Sequence, residues 1–487
     1  MNYSKKWNSS KAPKFSTISK MEIVAHLTHK AAMMLKKYKL HEVATFELSN
    51  VDKKSKEGER SVRLCNFTDV YYNWAVTRNM EQSFMLATAS ESQIKKLAIR
   101  KGQVAITKDS ETRHDIGIPT YIADDFDNTV LGYHCALITP DQSKVDVRFL
   151  NAFLNSKMAK EYFANNASGS GMRYSLPVDA IKNILLYLPE LEEQKRIGHL
   201  LSLIDRKIAL NREINRNLEA IARQLYDYWF VQFDFPDENG RSYKSSGGKM
   251  VWNEKLKREI PDGWEVVNLF DGVEVQYGFP FSTELFVEDE TAIPVVRIRD
   301  ILNGTTSAFS TEIADSKYKL AKGDLLIGMD GNFHMNLWSD DKAYLNQRSV
   351  RIRRKEDNQI SALQVLFEIA PYIKAKEQNA KGSTVGHLSD KDLKGIWLLS
   401  PSSNTHFVPA LTFGNIAAKL ISNRNEIAAL TAQRDELLPL LMNGQVSVRP
   451  RALNCDLSFM YRPVESSCRM IRQGGADGEG RYVANNA

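Results

Sequence analysis

After Pro189 the chain enters a long alternation of apolar and polar positions. Ile197, Leu201, Ile204, Ile208, Asn211, Asn215, Leu218, Ala222, Leu225 and Trp229 follow one another at steps of four and three. Such a heptad seam predicts a helix whose apolar stripe faces a partner helix. Near the other end, Phe413, Ile416, Leu420, Asn423, Ile427, Leu430, Arg434, Leu437 and Leu441 repeat the pattern in the same phase. Asn211 and Asn423 interrupt the two seams at the same place. A polar seam residue costs stability but penalises wrong registers, because it needs a partner. Two such helices in one chain are expected to pair with each other, antiparallel under pseudo-two-fold symmetry, with Asn211 close to Asn423. At about 1.5 Å per residue, positions 197 to 229 span roughly 48 Å, against roughly 34 Å for one turn of B-DNA. A rod of that length could hold two globular heads at separated DNA sites. The same seam would also suit an ordinary helical hairpin in a core or a dimer interface.

The helices belong to a larger repeat. Leu176 pairs with Leu388 at an offset of 212 (388 − 176 = 212), and the same offset pairs Ile184 with Ile396, Leu186 with Leu398 and Pro189 with Pro401. It continues through Ile204 and Ile416, Asn211-Arg212 and Asn423-Arg424, Leu218 and Leu430, and Leu225 and Leu437. This period is far beyond the roughly 20–50 residues of a solenoid repeat. It reads as a duplicated domain, each copy followed by a helix, and suits a target with two similar halves.

Each copy predicts a mixed α/β unit. Strand-like runs at Val62–Leu64, Val104–Ile106 and Ala136–Ile138 precede a helical run at Val147–Ala164. The second copy offers Val295–Ile298, Leu325–Ile327 and a helical Leu363–Ala375. Lys101-Gly102-Gln103-Val104 resembles Lys322-Gly323-Asp324-Leu325, and Asp69-Val70 resembles Asp300-Ile301, at drifted offsets of 221 (322 − 101) and 231 (300 − 69). Loops have therefore been inserted or lost between the copies. The expected division is an extension at 1–36, a first globular unit at 37–190, a helix at 191–232, a linker at 233–262, a second unit at 263–403, a helix at 404–448 and a disordered tail at 449–487. The linker is marked by the Gly/Ser/Asp/Pro cluster through Phe233-Asp-Phe-Pro236 and Gly247-Gly248. The tail carries six arginines and no lysine.

Composition narrows the class. The 487 residues allow two to four domains, and 43% hydrophobic with 25% charged residues is ordinary for a soluble globular protein. No apolar run approaches a membrane span, and the region around Met21–Met34 is too charged for a signal-peptide core. Four scattered cysteines without a CxxC pair fit reduced thiols in a cytoplasmic protein. The net charge of +6 is compatible with nucleic acid. Phosphate-loop, dinucleotide-fingerprint and HExxH motifs are absent, as is the Asn/Asp-Pro-Pro-aromatic motif of an amino-methyltransferase. The histidines show no ligand spacing, so no metal site is expected. A chain this long without a catalytic constellation reads as a non-catalytic binding or scaffolding subunit.

Leu188-Pro189 with Glu193-Gln194-Lys195-Arg196-Ile197 and the following heptads resemble the first conserved region of type I restriction–modification specificity subunits. Trp229-Phe230, Phe233-Asp-Phe-Pro236, Tyr243, Ser246-Gly247-Gly248-Lys249-Met250 and Ile260-Pro261-Asp262-Gly263-Trp264 resemble that family's central linker. Gly278-Phe279-Pro280-Phe281-Ser282 and Gly323-Asp324-Leu325-Leu326 are similar to the opening of its target recognition domains, and Leu437-Leu438-Pro439-Leu440-Leu441 with Gly444-Gln445-Val446 to its C-terminal end. The resemblance covers roughly residues 37–448. It implies two target recognition domains, each reading one half of a bipartite sequence in double-stranded DNA, with antiparallel helices fixing the gap. It also implies two docked modification subunits, which bring S-adenosylmethionine and adenine methylation, and restriction subunits that use ATP and Mg. No cofactor is expected in this chain. Thr405-His406 stands where the first copy has Glu193-Gln194, so the two helices are not equivalent platforms. A type IIB-like specificity subunit shares this architecture, and a coiled-coil adaptor with no DNA role is the alternative from another class.

Sequence reading needs side chains that reach base edges, while phosphate contacts only position the protein. In the first unit the loop candidates are Lys108, Arg113, His114 and Arg173. In the second they are Asn332, His334, Asn346, Gln347, Arg348, Lys381 and His387.

Overall fold

The computed structural model describes residues 27–29, 35–169, 172–331, 333–356, 358–379, 386–401 and 408–448. Most of the N-terminal extension, the whole Arg-rich tail, and Asn332, Lys381, Thr405 and His406 lie outside them. The chain packs as two compact units. One holds the described residues up to Tyr71, Thr77–Gly198 and the described residues from Leu440 onward; the other holds Tyr72–Val76 and His199–Pro439.

In the first unit, Ala44–Leu48, Cys135–Pro140, Val104–Thr107 and Pro119–Ile122 lie side by side in that order, each antiparallel to the next. Val104, Ala105 and Ile106 are all buried, so this strand is covered on both faces. A smaller sheet orders Thr129–Leu131, Arg60–Cys65 and Met85–Ala89 around Val62, Leu64 and Val130. The helix expected at 147–164 is two helices, Val147–Leu154 and Lys157–Asn166. Ser156 breaks it: its hydroxyl accepts from the Ala159 amide at 3.3 Å and caps the second helix. Within the region read as an extension, Leu27–His29 forms a strand antiparallel to Val446–Val448.

The second unit repeats this arrangement. Val273–Tyr277, Ser349–Arg354, Leu325–Gly328 and Met335–Leu337 form an antiparallel sheet in that order. The run expected as a strand through Ile298 ends at Val296, and Ile298 opens the helix Ile298–Asn303. Arg297 caps that helix, its backbone amide donating to the Asp300 carboxylate at 3.0 Å. The later helix spans Ala362–Asn379.

The long helices are Leu191–Tyr226 and Pro409–Met442, of 36 and 34 residues, or about 50 Å each. In the second unit they run antiparallel: Asp205 meets Arg434, Lys207 meets Glu426, and Glu219 meets Arg424. The polar layer differs from the pairing expected of Asn211 and Asn423. The Asn423 amide donates to Asn215 Oδ1 at 2.8 Å, Asn215 donates to the Leu420 carbonyl at 3.3 Å, and Asn211 donates to Glu426 at 2.8 Å. Asn211 and Asn215 lie four residues apart and occupy the two alternating positions of the seam. Glu426, just off the seam, satisfies Asn211 and leaves Asn215 for Asn423.

The first helix is anchored differently at its two ends. At its start, within the first unit, the Gln194 side chain accepts from the Asp146 amide at 3.0 Å and donates to the Lys144 and Pro189 carbonyls at 3.1 and 2.9 Å. The buried Glu193 carboxylate pairs with Arg196 and accepts from the Val448 amide at 2.9 Å. At its end, within the second unit, it widens into a π-turn over Asp227–Val231, where Trp229 and Phe230 are both buried. Phe230 packs 5.4 Å from Trp264, Trp264 lies 4.9 Å from Phe235, and Phe235 stacks on Tyr243 at 4.7 Å. The connecting stretch is thus a packed part of the second unit's core. Among the described residues, no helix is long and apolar enough to cross a membrane.

Candidate nucleic-acid interface

The two units build the same corner from backbone alone. Beyond the strand Val104–Thr107, the Lys108 amide donates to the His134 carbonyl at 2.8 Å, and the Leu176 amide donates to the Lys108 carbonyl at 2.7 Å. Beyond Leu325–Gly328, the Met329 amide donates to the Arg348 carbonyl at 2.9 Å, and the Leu388 amide donates to the Met329 carbonyl at 2.8 Å. Asp109 then pairs with Ser175, and Asp330 with His387. His134 and Arg348 occupy equivalent places, each just before the strand beside this one, and both are left-handed, with φ of 74° and 63°. Non-glycine residues adopt this conformation rarely, and such strain clusters at functional sites.

On this frame each unit sets a carboxylate among cations. In the first, Asp109 Oδ2 lies 2.6 Å from His134 Nδ1, and the Arg173 guanidinium lies 3.2 Å from His134 Nε2 and 3.3 Å from Nδ1. An in-plane approach to both ring nitrogens would collide with the carbon between them, so Arg173 sits over the ring face. Burial raises the Asp109 carboxyl, but hydrogen bonds from His134 and Ser175 and the nearby Lys108 charge hold it below the usual carboxylate range. Lys108 Nζ lies 4.7 Å above the Tyr133 ring, and the Arg113 guanidinium 5.5 Å from the Tyr174 ring. The structure therefore gathers Lys108, Arg113 and Arg173. His114 is exposed beside Arg113 on the same short turn.

In the second unit, Asp330 lies 2.5 Å from His387 Nδ1 and 3.4 Å from the Arg348 guanidinium. Arg297, Arg299, His334, Asn346, Gln347 and Arg348 line an open cleft of about 430 Å³ beside it. Gly278 makes the Asn346–Gln347 turn possible, because any Cβ there would collide with the Asn346 carbonyl. Five candidates, His334, Asn346, Gln347, Arg348 and His387, thus share one surface. Asn332 and Lys381 fall outside the described residues.

The cluster contains residues that the loop reading passed over: Asp109, Tyr133, His134 and Tyr174 in the first unit, and Arg297, Arg299 and Asp330 in the second. One signal for them was present. The offset of 221 that joins Lys101-Gly102 to Lys322-Gly323 also carries Asp109 onto Asp330 (109 + 221 = 330). Among the described residues, no group of His, Cys, Asp and Glu could hold a metal ion.

Comparison with known proteins agrees with the duplication. The family described as the type I restriction modification DNA specificity domain matches twice, over residues 35–220 and 261–421. The chain is similar to the type I restriction enzyme MjaIX specificity subunit of Methanocaldococcus jannaschii, 26% identical over 314 residues that cover 62% of this chain and 69% of that one. It is also 26% identical over 412 residues to the HindI specificity subunit of Haemophilus influenzae, covering 72% of this chain and 88% of its relative. Among solved structures, the S subunit of a type I restriction–modification system from M. genitalium shares the fold at a TM-score of 0.51 and 16% identity, covering 85% and 97% of the two chains. With the family matched over more than half its length, this chain belongs to the type I restriction–modification DNA specificity family.

Proposed function

We propose that this chain is the sequence-specific DNA-binding subunit of a type I restriction–modification complex, and that each unit reads one half of a bipartite target. The observation that carries this reading is the recurrence, in both units, of a cation-rich corner around an equivalent carboxylate. Cations supply phosphate affinity, and side chains held in fixed geometry supply base selection. The length of the helix pair sets the half-site spacing that the complex accepts. Two modification subunits dock on the specificity subunit and carry S-adenosylmethionine and the methyl transfer. Restriction subunits bring ATP, Mg and cleavage. The chain itself performs no chemistry.

Sequencing of methylated sites in DNA exposed to this chain with its modification subunit tests the proposal. The expected result is a single bipartite motif, methylated on adenine in both halves. An intact complex that methylates no motif would overturn it. Binding that ignores salt would favour the adaptor reading, because phosphate contacts make affinity fall steeply with ionic strength.

A further inference from the structure

The two corners share their backbone frame and one side chain, the aspartate. Around it the other two residue types change places. In the first unit, histidine holds the left-handed position (His134) and arginine arrives from the segment leading into Leu176 (Arg173). In the second, arginine holds the left-handed position (Arg348) and histidine arrives from the segment leading into Leu388 (His387). Both units therefore reach the same trio of Asp, His and Arg from non-equivalent positions. A packing requirement alone would keep a residue type at its own position. A trio rebuilt by a different route points to the chemistry of the exposed group. That group is a guanidinium in each case: Arg173 is exposed, and the Arg348 side chain is 61% exposed although anchored to Asp330.

We propose that Arg173 and Arg348 each read a guanine, one in each half of the target, and that Asp109 and Asp330 are the positioning residues. This rests on the DNA-reading function proposed above. Arginine presents two parallel N–H donors that match guanine O6 and N7, and discrimination requires that the fork be held still. Asp330 holds Arg348 directly. Asp109 acts at one remove, fixing His134, whose ring face supports Arg173. Asp330 also keeps the Arg348 guanidinium from settling on a phosphate, where it would carry no sequence information.

The test is selection from a randomised duplex DNA library by the complete complex, with Arg348→Lys, Arg173→Lys, Asp330→Asn and Asp109→Asn compared with the unmutated protein. Lysine keeps the charge at an exposed site but lacks the fork. Each lysine variant is expected to lose roughly 5- to 150-fold discrimination at one guanine in its own half, the other half unchanged. Each Asn variant should weaken the same guanine less, with the thermal midpoint near that of the unmutated chain. A uniform loss of affinity with a shallower salt dependence and an intact motif would mark the arginines as phosphate contacts and overturn the assignment. So would relaxation of both halves by a single variant. An unmutated complex that selects no motif would instead defeat the DNA-reading function itself.

Discussion

In the first unit the left-handed corner is His134, tucked against Asp109 with Arg173 over its ring; in the second it is Arg348, reaching toward Asp330 beside His387. The neighbouring turns differ too. Asn66 caps its turn through Asp69 where Arg297 caps through Asp300, so the second corner gains Arg297 and Arg299 where the first has Asn66 and Thr68. The units also hold the first long helix by different physics, with buried polar side chains at Glu193 and Gln194 and an aromatic core at Phe230 and Trp264. Duplication has thus kept the backbone hydrogen bonds, which are indifferent to residue type, and released the side chains that face outward. A reader of two different half-sites needs that division.

The largest effect expected from breaking this contrast is at Trp264. Trp264→Ala empties the centre of the aromatic cluster and should cost about 3–5 kcal/mol, read as a lower thermal midpoint. It should also abolish reading of the half-site assigned to the second unit, and equal loss in both halves would show that the two anchorages are not separable. The contrast between corners is sharpened by His134→Arg. An arginine there faces Asp109 as Arg348 faces Asp330, so library selection should change at one position of the first half-site, by about 1–3 kcal/mol of preference. No change at any position would show that the left-handed residue does not touch DNA.

Between the helices, Asn215→Ala leaves the buried Asn423 amide without its acceptor and should cost about 1–3 kcal/mol. Replacing both by leucine should recover much of the stability while loosening register, which crosslinking between the helices would report. An effect of similar size is expected of pH. Burial pushes the Asp205 carboxyl up to about 6, against the opposing charges of Arg434 and Arg212. The folded state then holds this proton more tightly than the unfolded chain, so the associated stability is present below about pH 4 and is lost as pH rises through 6. Melting curves from pH 4 to 8 should show this decline, and Asp205→Asn should flatten it.

The amino-acid sequence by itself determined the duplication, the two seams and the family, because these depend on periodicity and on residue spacing that survives any tertiary detail. It also marked nine of the polar residues that the described structure places at the two corners or beside them. It did not choose Asn215 over Asn211, since both lie on the seam and only the packed register assigns their partners. It did not break the helix at Ser156, where a local cap competes with an apolar pattern that runs on. It did not single out Asp109, His134 or Asp330, which are unremarkable as residues. Their roles arise where three distant segments meet at one left-handed turn, and only the tertiary structure brings those segments together.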